Sequence, residues 1–301
     1  MKGLPSGIDT LYSYTMESDS PNSLKILALD LDDTLLRSDL SISYRTRNAI
    51  KQAVHMGVTV VLASGRIHAA MDHFSRLLGL HKKPGYLICN NGALILETHT
   101  GKIAHEAKLD RETLMAACDL ADAEGFALQM YDNNITYVSR HNEYSSIDQK
   151  TTGLRQVVVE NFKDMAREGC YKLIIPGDPE LLKYMEIIIR TYLGQNLTIF
   201  FSHPYFLELM PEDTDKGTAL AKVASILNVK QGEVIAIGDS MNDEAMIRWA
   251  GIGVAMANGD ERIKSMADLV TKHTNDEDGV AEVIEKYFFI EKTYKEGGAN
   301  E

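Results

Sequence analysis

The sequence predicts an α/β protein: a doubly wound, mainly parallel sheet with an inserted α+β layer. Three observations predict it. Short apolar runs alternate with helix-period segments at both ends of the chain, as expected of strands covered on both faces. Between them, from Ile103 to about Phe206, hairpin-like pairs and two longer helical stretches make a different pattern. Carboxylates, a hydroxyl, a lysine and glycines stand just after the apolar runs or at helix starts, where an open parallel sheet binds its ligands.

The first run is ILAL (26–29), followed by a helix from about Tyr44 to Met56 with Ala49, Ile50, Ala53 and Val54 on one face. VTVVLA (58–63), a helix over about Ile67 to Leu78 and YLIC (86–89) come next. Asn91-Gly92 is a tight-turn signal and marks the way out toward the insertion. There FALQMY and ITYVS read as a hairpin, and helices are expected near 110–124 and 179–193. The chain returns with a helix from about Thr218 to Leu227, whose face is Leu220, Val223, Ala224 and Leu227. VIAIG (234–238), a short helix, IGVAM (252–256), another helix and DLV (268–270) complete the pattern. The expected organisation is a core in two parts, 24–102 and 207–290, around an insertion at 103–206, with flexible ends at 1–23 and 291–301.

Composition narrows the function. The chain has 301 residues, enough for two domains or one with a large insertion, and a formal charge of −12. That balance disfavours a nucleic-acid binder, which would show a basic face. An anionic substrate stays open, because a metal ion and a few cations reverse the local sign. Cys89, Cys118 and Cys170 are far apart and odd in number, so neither a disulfide framework nor a zinc site is expected. No apolar run approaches the ~20 residues of a membrane span. Residues 1–23 resemble no signal or transit peptide. A cytoplasmic protein is the expectation, with its oligomeric state unspecified.

Four separate segments deliver polar groups to one rim. Asp30, Asp32 and Asp33 follow the first strand, and Ser64-Gly65-Arg66 the second. Asp215-Lys216-Gly217 opens a helix, and Asp239-Ser240-Met241-Asn242-Asp243 follows VIAIG. In an extended chain Asp30 and Asp32 face one site while Asp33 faces elsewhere; the alternative is that Asp32-Asp33-Thr34 only ends a strand. Ser64 with Gly65 suits a phosphate cradle, or Ser64 is a helix N-cap. Lys216 opposes the helix dipole, following a cap-like Asp213-Thr214, and Gly217 is a poor helix former. Local rules disfavour both, which favours a functional lysine. Asp239, Ser240 and Asp243 obey capping preferences, so structure alone accounts for them too. Their hard oxygen ligands suit Mg²⁺ rather than zinc. The nine histidines form no HExxH pattern and are read as surface or core residues.

Together, DLDDTLL (30–36), ASGR (63–66), NGA (91–93), DKGTAL (215–220), GDSMNDEAM (238–246), GIGVAMANGDERIKSMAD (251–268) and NDEDGV (275–280) resemble the haloacid dehalogenase-like phosphohydrolases. The resemblance is closest to the Cof-type branch, with a large α/β cap, and runs from about Lys25 to Tyr287. It implies a nucleophile, Asp30, that forms an aspartyl-phosphate, and an acid/base, Asp32. It implies Mg²⁺ on Asp30, the Asp32 backbone carbonyl and Asp239, with Asp243 in direct or supporting contact. Ser64, Gly65, Lys216, Asn242 and the Leu31 backbone N–H would hold the phosphoryl oxygens. Two positions depart from the common pattern: Asp33 where glycine is frequent, and Ser64 where threonine is. The first 23 residues have no counterpart in it.

The resemblance implies a phosphatase of small phosphorylated metabolites. A phosphotransferase or mutase of the same fold is the first rival, separable by acceptor dependence. A non-catalytic binding protein is the second, and it would not need Asp32 beside Asp30. Sugar phosphates are the first substrate class by family, with nucleotides, flavin mononucleotide and pyridoxal phosphate open. Tyr131, Tyr137 and Arg140 of the insertion are either packing residues or substrate contacts.

Overall fold

The computed structural model describes residues 24–132, 134–194 and 197–289. The expected flexible ends, 1–23 and 291–301, lie outside the described residues. The first part runs β1 (Ile26–Asp30), α1 (Tyr44–His55), β2 (Thr59–Ala63), α2 (His68–Leu77), β3 (Gly85–Cys89), β4 (Leu94–Glu97) and β5 (Ile103–Glu106). Next come α3 (Arg111–Ala123), β6 (Gln129–Asp132), β7 (Ile135–Val138), α4 (Glu143–Thr152), β8 (Arg155–Val158), β9 (Leu173–Pro176), α5 (Pro179–Leu193), β10 (Leu197–His203) and β11 (Phe206–Pro211). The last part is α6 (Lys216–Leu227), β12 (Val234–Gly238), α7 (Glu244–Trp249), β13 (Ile252–Ala255), α8 (Glu261–Met266), β14 (Leu269–Val270) and α9 (Gly279–Ile284).

The larger sheet has eight strands in the order β14-β13-β12-β1-β2-β3-β4-β5. It is parallel from β14 to β3 and antiparallel at β4 and β5. Strands buried on both faces explain the near-continuous apolar runs: β1 and β12 are buried at every position. Leu27 and Leu29 pack on one face, Ile26 and Ala28 on the other. The chain order reverses at β1, which lies between β2 and β12, so the carboxyl ends of these strands flank a switch-point crevice.

The smaller sheet runs β10-β11-β9-β6-β7-β8 and is antiparallel except for β7 with β8. Its period-2 alternation is plain: Met130, Leu173, Leu207 and Leu209 pack with Leu114, Ala117, Leu182 and Met185 of α3 and α5. Sheet membership divides the chain differently from the expected boundaries. Residues 103–106 form the edge strand of the larger sheet, and 207–211 pair inside the smaller one. Ladder hydrogen bonding decides this, and composition does not encode it.

Two glycines are dictated by close approach. Asn90, Asn91 and Gly92 all have positive φ between β3 and β4, and a Cβ on Gly92 would sit 2.4 Å from the Asp215 carbonyl oxygen. A Cβ on Gly217 would lie 2.4 Å from the Ala245 carbonyl group, so this poor helix former is explained by the packing of α6 on α7. Gly217→Ala is expected to cost on the order of 1–3 kcal/mol by overpacking, read as a lower urea midpoint at unchanged slope. An unchanged midpoint would mean that the two helices part freely.

Candidate active site

The chain does not stay extended after β1. Leu31–Leu35 form a tight turn closed by the Leu36 N–H donating to the Leu31 carbonyl at 2.8 Å, and Asp33 is left-handed with φ 55°. The expectation that Asp33 faces away is therefore corrected: the turn carries Asp30, Asp32 and Asp33 all to the lining of one cavity. Asp33 is exposed at its rim, and its carbonyl accepts from Asn258 Nδ2 at 2.7 Å. The Leu31 side chain is buried in the core, leaving its backbone between the two acids.

Lys216 is the largest fully buried side chain, with no exposure. The helix it opens is capped by Asp215, which accepts from the Thr218 N–H at 2.7 Å, so the cap is Asp215 and not the expected Asp213-Thr214. The Lys216 ammonium donates to Asp30 Oδ1 and Asp243 Oδ1, each at 2.6 Å. Burial alone would discourage its charge, but Asp243 and Asp30 outweigh burial and hold Lys216 above the ordinary lysine value. Two of its three protons are engaged, and the ammonium stands behind Asp30 rather than on the cavity surface.

Asp243 does two jobs. Its Oδ2 accepts the Asp239 and Ser240 backbone N–H groups at 3.0 and 3.2 Å, a helix-start cap, while Oδ1 holds Lys216. Asp239 is positioned by Thr34 Oγ1 at 2.9 Å. Burial first, and the Asp243 charge second, push the Asp239 carboxyl up to about 7. The same two causes raise Asp30 well above the usual range, against the pull of Lys216.

On the opposite side, the Ser64 hydroxyl is buried and accepts from the Arg66 N–H at 3.1 Å. It is not a helix cap, because α2 begins at His68 with Ile67 at the cap position. Gly65 lies against the Asn91 side chain, and Asn242 Nδ2 reaches Asn91 Oδ1 at 3.4 Å. Ser64, Gly65, Asn91 and Asn242 thus line one side of the cavity, whose volume is about 530 Å³.

Residues 27–284 match the haloacid dehalogenase-like hydrolase family. The chain belongs to this family. Phosphatase YwpJ of Bacillus subtilis is 28% identical over 87% of this chain and 99% of its own. The 5-amino-6-(5-phospho-D-ribitylamino)uracil phosphatase YcsE of the same organism is 30% identical over 87% of this chain and 94% of its own. A haloacid dehalogenase-like hydrolase from Bacteroides thetaiotaomicron superposes with a TM-score of 0.82 at 32% identity, covering 88% of this chain and all of its own. The chain is an enzyme of the phosphatase kind.

The hydrolase fits a divalent cation at the strand ends. Asp30, Asp239 and Asp243 each offer a carboxylate oxygen, all within 4.8 Å of one another. Three carboxylates share one ammonium, so the cluster carries a negative excess when all three are ionised, and its donors are all hard oxygens.

Two partners of this site carry no role in the sequence reading. Arg66 grips Asp32 through two parallel hydrogen bonds, Nε to Oδ2 at 2.8 Å and Nη2 to Oδ1 at 2.5 Å, and its guanidinium lies 5.7 Å from the Phe74 ring centre. Asn91 entered the sequence reading as a turn residue and in the NGA stretch of the resemblance, with no role of its own. Of the undecided residues in the insertion, Tyr131 lines the cavity and Tyr137 packs against the core of the smaller sheet. His203 also lines the cavity, stacked on Tyr205 at 5.4 Å, so it is neither a plain surface nor a core histidine. Among the described residues no helix is long and apolar enough to cross a membrane, and Cys89, Cys118 and Cys170 are unpaired and buried.

Proposed function

We propose that this hydrolase is a cytoplasmic, Mg²⁺-dependent phosphatase of small phosphorylated metabolites, sugar phosphates first. The observation that carries the reading is the placement of Asp30: a buried carboxylate at the end of β1, held by Lys216 on Oδ1, beside a second acid, Asp32, that lines the same cavity.

Asp30 attacks phosphorus, and the P–O bond to the leaving alcohol breaks as an aspartyl-phosphate forms. Asp32, which must leave the Arg66 fork and carry a proton in the substrate complex, gives that proton to the departing alkoxide. It then takes one from water, which attacks phosphorus and frees Asp30 and inorganic phosphate. Ser64, Gly65 and Asn242, which line the cavity beside Asp30, would hold the phosphoryl oxygens together with the Leu31 backbone N–H, while Lys216 would orient Asp30 from behind. Asp30, the Asp32 carbonyl and Asp239 would hold Mg²⁺, with Asp243 orienting Lys216 and the Asp239 backbone. When bound, the ion neutralises charge on the transferring group. The smaller sheet closes the far side of the cavity, the place of a cap that contacts the leaving group.

Chelation is expected to remove hydrolysis of an aryl phosphate, and added Mg²⁺ to restore it. The same addition should raise the melting temperature, because an ion that binds only the folded chain stabilises it. Full turnover in chelator would remove the metal from this reading.

A further inference from the structure

A second wall of the cavity is built from the smaller sheet and α4. The residues that alternate with its apolar face, Tyr131, Lys172 and Glu208, line the cavity, together with Asp148. Lys172 and Glu208 form a buried pair, with side-chain exposures of 8% and 4%, and Nζ lies 3.2 and 3.3 Å from the two carboxylate oxygens. The same ammonium lies 5.3 Å over the Tyr131 ring and 3.4 Å from the Gly65 carbonyl oxygen, so it ties this wall to the phosphate side. Tyr131 donates its hydroxyl to Asp148 at 2.6 Å. With three donors on an ammonium, the Lys172 charge is already engaged.

Charge around the cavity is one-sided. Six carboxylates line it, against Arg66 and Lys172 as the lysine and arginine cations among the described residues. Both cations are paired, Arg66 with Asp32 and Lys172 with Glu208. Lys216 and a divalent ion serve the acids at the strand ends and the transferring phosphoryl group. Asp148 has a tyrosine hydroxyl instead of a cation as its hydrogen-bond partner. A leaving group with a second anionic centre would meet carboxylates with no cation left to pair with it. Hydroxyl groups would donate to the same carboxylates without that repulsion.

We propose that Asp148 and Glu208, set around Lys172, are specificity-determining residues that form a charge filter. They admit phosphomonoesters of neutral, hydroxyl-bearing alcohols and disfavour those whose leaving group carries a second carboxylate or phosphate. The inference rests on the phosphatase reading and deepens it.

The test compares kcat/KM for sorbitol 6-phosphate with 6-phosphogluconate, and for fructose 6-phosphate with fructose 1,6-bisphosphate. An aryl phosphate serves as the control, all at pH 8, where free imidazole is neutral. The neutral member of each pair is expected to be favoured at least tenfold. Asp148→Asn and Glu208→Gln are each expected to narrow that ratio severalfold. Because the ratio is read within one protein, a general loss of activity cancels, and Asp148→Asn, whose amide oxygen still accepts from the Tyr131 hydroxyl, keeps the test open if Glu208→Gln folds poorly. Aryl phosphate turnover with ratios within twofold of one overturns the filter and leaves the phosphatase reading standing. Discrimination that neither variant moves overturns the assignment to these residues. Absence of aryl phosphate turnover overturns the phosphatase reading and the filter with it.

Discussion

Asp30→Asn is expected to lower aryl phosphate hydrolysis by roughly 10⁴–10⁶-fold, the scale on which removal of a covalent nucleophile acts. The amide keeps the carboxylate's shape, and its carbonyl still accepts from Lys216, which donates to Asp30 Oδ1 at 2.6 Å. What it lacks is the electron pair that forms the bond to phosphorus. Stability should change little or rise, because one of three clustered carboxylates is neutralised. Steady-state kinetics and a thermal melt on one preparation separate the two effects. Turnover near the wild-type rate would sink the covalent mechanism. Lost turnover with a collapsed melt would show that Asp30 is structural.

Lys216→Met is expected to damage both stability and catalysis. The methionine fills a similar volume but leaves Asp30 and Asp243 buried without their shared cation. Breaking a buried ion pair by removing one partner costs roughly 3–5 kcal/mol. Uptake of a proton by Asp30, whose carboxyl burial already raises, offsets part of that cost. Catalysis should fall by about 10²-fold, the scale on which a misplaced reacting group acts, because Asp30 loses the ammonium that orients it. Added Mg²⁺ should recover more stability in the variant than in the wild type, since it supplies the missing positive charge. A variant with the wild-type denaturation midpoint, with or without Mg²⁺, would show that the pairing contributes nothing net.

Much of the fold was legible because its signals are local. The run VIAIG gave its strand without shift, and the helix around Ala49, Ile50 and Ala53 buries those three residues. Asp243 illustrates a limit of such signals. Its carboxylate is both a helix-start cap and a partner of Lys216, so the capping that accounts for it locally is not all that it does. Gly217 shows the reverse, an anomaly that pointed toward function but is explained by contact with Ala245. Lys172 and Glu208 carried no reading in the sequence, because a single charged residue beside an apolar run shows neither its partner nor what lies opposite.

By itself the sequence determined the α/β class, the strands that end in Asp30 and at Gly238, and the set of acids and the lysine offered at their tips. Periodicity and capping act over a few residues, and these features need nothing more. Only the tertiary structure decided the pairing. Lys216 meets Asp30 from 186 positions away, Arg66 meets Asp32 from 34, and Lys172 reaches Gly65 across the two sheets from 107. Which buried charge neutralises which is set by packing, since burying either partner alone carries a large desolvation cost.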